Sequence, residues 1–319
     1  MAEPEPGATA PTGAGADASA VASASDVGAD IPDVDAMRRR LDAADYIADL
    51  GMATALFCAV RLPQPVLLEG EAGVGKTEAA KALARVLDTP LVRLQCYEGI
   101  DAAEALYEWN YPRQLLGIRL AEATGREVTE HDLFGAEYLV ERPLLRAIRH
   151  TGPRPVVLLV DEIDRADDEF EAFLLEMLAE AAVTIPELGT VRATHPPIVV
   201  LTSNRTRDLH DALKRRCLYH WIDYPDLSRA VAVIRRRVPA ASTTLAEQVA
   251  SAVQRLRSLD VQKQPGLAEA IDWVTTLDLL GLGALDAGAA DATLGSVLKY
   301  REDLDLARER GAAWVAAGG

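Results

Sequence analysis

Cysteine is scarce in this chain of 319 residues: Cys58, Cys96 and Cys217 lie far apart, with no CxxC or Cys/His spacing. An odd, scattered set excludes a disulfide framework, suits a reducing compartment and reads as buried structural thiols. The five histidines likewise lack metal spacing, and no serine or histidine sits in a hydrolase elbow. Long apolar runs are also missing. The longest β-type run, Val156-Val157-Leu158-Leu159-Val160, falls far short of the roughly 18–20 residues that cross a bilayer. Without a basic n-region or an apolar h-region at the start, a signal peptide is not expected and a cytoplasmic location is. Basic charge is short too, with 33 Lys and Arg against 49 Asp and Glu and a net charge of −16. Residues 1–35 hold seven acids and no Lys or Arg, which leaves −9 for the remaining 284. So acidic a surface repels a phosphate backbone, and nucleic acid as the main substrate is disfavoured.

At 49% hydrophobic and 26% charged, the composition is that of a soluble globular protein, and the length suits about two domains. Residues 1–35, rich in Ala, Gly, Pro, Ser and acids, bury too little to offset ordering and read as a disordered acidic tail. Helical periodicity then runs from about 37 to 60 and stops at Pro63 and Pro65. From Val66 the pattern alternates: strands at 66–69, 91–95, 156–160, 198–202 and 218–223, helices at 76–87, 168–181 and 207–214, and a hairpin at 183–193. This predicts a parallel sheet covered on both faces, an α/β domain over 36–225. Beyond Pro225 only helical stretches remain (226–237, 243–258, 267–279, 291–309), a small all-α domain over 226–310 before a short tail at 311–319.

The sharpest motif is Gly70-Glu71-Ala72-Gly73-Val74-Gly75-Lys76-Thr77, which fits GxxxxGK[ST] between a buried-type strand and a helix. Glycines let backbone N–H groups curl around phosphates, and the helix N-terminus adds its dipole. Lys76 is expected to reach the β- and γ-phosphates of ATP, Thr77 to ligate Mg²⁺, and Glu78 to close the binding set. Asp161 and Glu162 follow the apolar strand 156–160, at the edge where open α/β sheets bind ligands. Asp161 is the second candidate for Mg²⁺ and Glu162 the candidate for polarising the attacking water. Asn204, after the strand 198–202, is the candidate γ-phosphate sensor. In the cluster Lys214-Arg215-Arg216, Arg216 is the first choice and Arg215 the second for an arginine offered to a neighbouring subunit.

These elements, in this order, resemble AAA+ ATPases, a P-loop core followed by a helical lid. Further matches narrow the resemblance to the MoxR family over about 37–305: Leu68-Glu69-Gly70, Arg93-Leu94-Gln95-Cys96, Asp161-Glu162-Ile163-Asp164-Arg165-Ala166, Leu175-Glu176-Met177-Leu178 and Val183-Thr184-Ile185. Tyr107-Glu108-Trp109-Asn110-Tyr111-Pro112 and Trp221-Ile222-Asp223-Tyr224-Pro225 look like the branch typified by carbon-monoxide-dehydrogenase maturation ATPases (CoxD-like). The resemblance implies a homo-oligomeric ring, usually a hexamer, with ATP between subunits and Arg216 acting in trans. It also implies chaperone-like remodelling of a protein client, such as metal or cofactor insertion into an enzyme, with a von Willebrand factor A domain partner.

Two departures stand out. Where such lids often present an arginine, this chain has Gln264-Pro265-Gly266-Leu267-Ala268-Glu269, with Glu269 at the expected place and Lys263 as a substitute cation. No aromatic-Gly pore loop is apparent, which leaves Tyr107–Pro112 and the 183–193 hairpin as the candidate remodelling surface. Trp273 and Trp314 read as lid packing or a C-terminal anchor. A DNA-directed AAA+ motor or clamp loader, a P-loop kinase of a small molecule and a nucleotide-gated binding protein remain as alternatives.

Overall fold

The structure, a computed structural model, describes residues 30–125 and 129–317. Two helices, α1 (Val34–Ala43) and α2 (Leu50–Arg61), precede β1 (Val66–Gly70), α3 (Lys76–Leu87) and β2 (Leu91–Gln95). An inserted segment follows, made of α4 (Ala102–Leu106), β3 (Tyr107–Trp109), α5 (Tyr111–Thr124), α6 (Glu130–Leu133), β4 (Leu139–Glu141) and α7 (Pro143–Ile148). The chain then returns through β5 (Val157–Asp161), α8 (Asp168–Glu180), the hairpin β6 (Ala182–Ile185) and β7 (Gly189–Arg192), β8 (Ile198–Ser203), α9 (Asp211–Lys214) and β9 (Leu218–Ile222).

Five strands form one parallel sheet in the order β2-β5-β8-β1-β9. The three central strands, β5, β8 and β1, are buried throughout because both of their faces are covered, whereas the edge strands β2 and β9 carry exposed Arg93 and Tyr219. Side chains alternate between two cores: Leu67, Leu158, Val160, Val199 and Leu201 pack on one side, and Val66, Leu68, Val157, Leu159 and Val200 on the other. In-register pairing aligns the carboxyl ends: Gln95 lies opposite Asp161, and Glu69 lies between Ser203 and Trp221. The loops that carry the glycines, Asp161-Glu162 and Asn204 therefore leave the sheet on the same edge, whereas Arg215 and Arg216 precede β9 at the opposite edge.

The lid comprises α10 (Leu227–Arg237), α11 (Thr243–Arg257), α12 (Leu267–Leu279), α13 (Ala287–Thr293), α14 (Arg301–Arg310) and α15 (Ala312–Ala316). It has its own core around fully buried Trp273, whose indole donates to Thr293 Oγ1 at 2.7 Å. No described helix is long and apolar enough to cross a membrane.

Several expectations need correction. The single helix expected over 37–60 is two, because Asp45 turns left-handed (φ 61°) and Asp49 caps a new helix through Met52 N at 2.7 Å. The acidic tail expected over 1–35 lies outside the described residues up to 29, but its last part is packed. Ile31 is fully buried, Arg61 donates to its carbonyl at 2.8 Å, and α1 begins at Val34. Of the tail expected at 311–319, the described part holds helix α15 (Ala312–Ala316), fixed by buried Val315 and by Arg255, which donates to the Val315 carbonyl at 2.7 Å; the last two residues lie outside the described ones. The helix expected over 291–309 breaks at 294–300, where a short 3-10 turn precedes a new start at Arg301. The helix expected over 207–214 is confined to α9, because Arg207 is drawn aside to the Ala166 carbonyl and to Glu171.

Candidate nucleotide site

The loop between β1 and α3 forms a cradle at the sheet edge. Gly73 and Gly75 hold φ of 76° and 98°, a region in which side-chain-bearing residues are strained. Gly75 stands at the start of α3, so the N–H groups of that helix face the cradle. Lys76 is 7% exposed, and its Nζ donates to the carbonyls of Gly70 and Glu71, both at 2.7 Å. Burial lowers its pKa, and the nearby carboxylates of Asp164, Glu71, Asp161 and Glu162 oppose that shift.

Thr77 and Asp161 meet as the motif spacing requires: Thr77 Oγ1 donates to Asp161 Oδ1 at 3.0 Å. Asp161 also accepts from Thr202 Oγ1 at 2.5 Å and from Arg93 Nη2 at 2.6 Å. An acidic carboxylate beside a hydroxyl, backed by a helix start, has the oxygen donors that Mg²⁺ requires. Glu162 is a non-glycine residue in the left-handed region (φ 56°), pinned there by its own N–H, which donates to Thr202 Oγ1 at 2.9 Å. Its carboxylate accepts from Gln95 Nε2 at 3.0 Å and Arg165 Nη1 at 3.1 Å, with Asn204 Nδ2 at 3.5 Å. Asn204 is itself set by its N–H, which donates to Asp164 Oδ2 at 3.2 Å.

Lys76, Thr77, Asp161, Glu162 and Asn204 thus line one cavity of about 470 Å³, together with Ala72, Gly73, Val74, Gly75 and Glu78. Neither Gly70 nor Glu71 lines it; their carbonyls hold Lys76. Arg216 and Arg215 are not brought there. Both are exposed; Arg216 donates to the Leu175 carbonyl at 3.3 Å, and Arg215 stands 3.9 Å from Asp211.

Other residues of the site escaped sequence reasoning. Thr202 ties Asp161 to Glu162, and its signal was a hydroxyl at the end of an apolar strand, directly before Ser203-Asn204. Gln95 reaches Glu162 only because β2 neighbours β5. Tyr46 and Ile47, in the break between α1 and α2, form an apolar wall with Ile222, Val233, Leu267 and Ile271. A wall of this kind suits a flat heterocycle. The lid closes onto the cradle by backbone: Leu267 N and Ala268 N donate to the Gly73 carbonyl at 3.2 and 3.3 Å. A Cβ on Gly266 would stand 2.7 Å from the Ala72 carbonyl oxygen, so only glycine permits this approach. Glu269 does not line the cavity; its Oε2 accepts from Gly266 N at 2.9 Å and caps α12. Lys263 does not line it either.

An uncharacterized protein of Staphylococcus haemolyticus, SH1500, is 26% identical over 218 residues, spanning 66% of this chain and 74% of its own length. An uncharacterized protein of Staphylococcus aureus strain USA300 is 28% identical over the same shares. Among solved structures, a Thermotoga maritima RuvB variant aligns with a TM-score of 0.44 at 18% identity, covering 82% of this chain and 68% of its own. Domain III of the Thermotoga maritima replication initiation protein DnaA aligns at 0.41 and 14% identity, covering 83% and 94%. Residues 65–217, which carry the phosphate cradle and four of the five strands of the large sheet, match the family model described as AAA domain (dynein-related subfamily).

Proposed function

We propose that the protein is an ATP-hydrolysing AAA+ machine of the MoxR type that remodels or activates a protein client from a homo-oligomeric ring. The carrying observation is the convergence of Lys76, Thr77, Asp161, Glu162 and Asn204 on one cavity at the carboxyl edge of the sheet. Bound ATP would supply the phosphoanhydride bond to be cleaved, and Mg²⁺ would withdraw charge from its phosphate oxygens.

Lys76, Thr77 and Asp161 hold Mg-ATP. The donors of Lys76, spent on two loop carbonyls, are within the cradle for phosphate oxygens. Glu162 orients the attacking water and takes up its proton at a carboxylate oxygen. Asn204 fixes that carboxylate from the next strand. Arg216, exposed on its own subunit, reaches the site of a neighbour. Protein remodelling with a von Willebrand factor A domain partner, and a maturation client in particular, rest on the resemblance of the flanking segments to the MoxR family and its CoxD-like branch. The net charge of −16 favours a protein client over a nucleic acid.

The test is phosphate release from ATP by wild type, Lys76→Ala and Glu162→Gln, with nucleotide retention measured alongside. We expect Lys76→Ala to lose binding, and Glu162→Gln to keep it while hydrolysis falls about 100-fold or more. Unchanged hydrolysis by Glu162→Gln would remove the ATPase assignment from this site.

A further inference from the structure

We infer that Arg237 of the lid is a nucleotide-binding residue, a cation that the last turn of α10 carries to the polyphosphate of a nucleoside di- or triphosphate. The inference rests on the ATP reading above and adds a residue from outside the phosphate loop.

Helix α12 brings no cation to the cavity. At the start of α12, Leu267 and Ala268 line it, while Glu269 is turned into a cap for Gly266. Two lid cations line the cavity instead, Arg229 and Arg237. Arg229 is committed to structure, since it donates to Asp49 Oδ2 at 2.7 Å and to the Ile47 carbonyl at 2.9 Å. The guanidinium of Arg237 lies 2.9 Å from Glu78 Oε2, and Glu78 stands in the first turn of α3, the helix whose start faces the cradle. Glu78 has a second cation of its own, Lys81 at 2.7 Å, and so does not depend on Arg237.

Charge gives the reason for a transfer. Among the lining residues acids outnumber bases, with Asp45, Glu78, Asp161, Glu162, Asp223 and Asp272 against Lys76, Arg229 and Arg237. A polyanion entering such a cavity needs every cation it can recruit. The side chain of Arg237 is 40% exposed, so its pair with Glu78 is partly screened and weak, whereas guanidinium–phosphate bonds are charge-assisted and often bidentate. Because Arg237 sits on the lid and Glu78 on the core, exchanging one partner for the other ties the lid to the presence of phosphate.

Titration calorimetry with Mg-ADP and with adenosine tests this on wild type, Arg237→Ala, Arg237→Gln and, as a control on the same helix, Arg236→Ala. Arg236 pairs with Asp42 at 2.8 Å and does not line the cavity. We expect both Arg237 variants to weaken ADP about tenfold or more while adenosine changes less than about twofold, and Arg236→Ala to leave both unchanged. ADP affinity unaltered in the Arg237 variants overturns the inference. So does an equal loss of adenosine, which would mark a structural contact of the lid. Arg237→Gln keeps most of the side-chain length, so a defect seen in Arg237→Ala alone would also count against a charge contact. Failure of the wild type to bind ADP would instead strike the ATP reading itself.

Discussion

Thr202 shows how much of this site depends on a residue that no motif names. It is 1% exposed, donates to Asp161 and accepts from the N–H of Glu162, so one hydroxyl fixes both acids after β5. Replacing it by valine keeps the shape and leaves the half-buried Glu162 N–H without its partner. We expect Thr202→Val to cost about 1–3 kcal/mol in urea unfolding and to lower hydrolysis without a matching loss of ATP affinity. Cysteine chemistry is a second expectation at this scale. Burial pushes the Cys96 thiol up to about 12, helped by Asp161, Asp164 and Glu162, and burial alone does the same to Cys217. Both thiols should resist iodoacetamide in the native protein near pH 8 and react in denaturant. Their linkage has a definite sign. A folded pKa raised above the unfolded one gives stability that is intact below about 9 and lost as pH rises toward about 12. Stability measured across that window should therefore fall with rising pH.

At the scale of elements, the central strands β1, β5 and β8 were legible because both of their faces are buried and they open on apolar runs. The placement of the Gly70–Thr77 loop, of Asp161 and Glu162 and of Asn204 was legible for a related reason, since each sits at the end of such a strand. The break at 44–49 was not. Residues on both sides share a helical period, and only the left-handed Asp45 and the cap at Asp49 interrupt it, yet that break delivers Tyr46 and Ile47 to the cavity. The inserted segment shows the same limit. Trp109 and Tyr111 look equivalent in sequence, but Trp109 is 7% exposed and meets Phe134 edge-on at 5.1 Å, whereas Tyr111 is 62% exposed. Trp109 therefore belongs to the packing that joins β3 to its neighbours. Tyr111→Ala should leave melting temperature and basal hydrolysis unchanged, whereas Trp109→Ala should cost about 3–5 kcal/mol on unfolding. The other outward residues of α5, Leu115, Leu116 and Leu120, are each close to 60% exposed, a pattern that α5 alone does not explain.

On the scale of the whole molecule, three arginines on α10 grip the core: Arg229 on Asp49, Arg236 on Asp42 and Arg237 on Glu78. With the backbone bonds from α12 to Gly73, they make the lid one wall of the cavity. None of these partners was legible, because each pairs residues more than 150 positions apart. Arg216 is exposed, meets the Leu175 carbonyl and lies away from its own cavity, with no carboxylate partner among the described residues, which leaves it available for the contact between subunits proposed above.

The account stands or falls on hydrolysis in mixed assemblies. On the proposed function, Glu162→Gln subunits would lack the acid that orients water but keep Arg216, and Arg216→Ala subunits would keep that acid but offer no arginine. We expect each variant to be nearly inactive alone. Mixed before assembly, they should regain phosphate release, because an intact acid on one subunit then meets an intact arginine on the next. A mixture no more active than the sum of its parts would contradict a site completed between subunits.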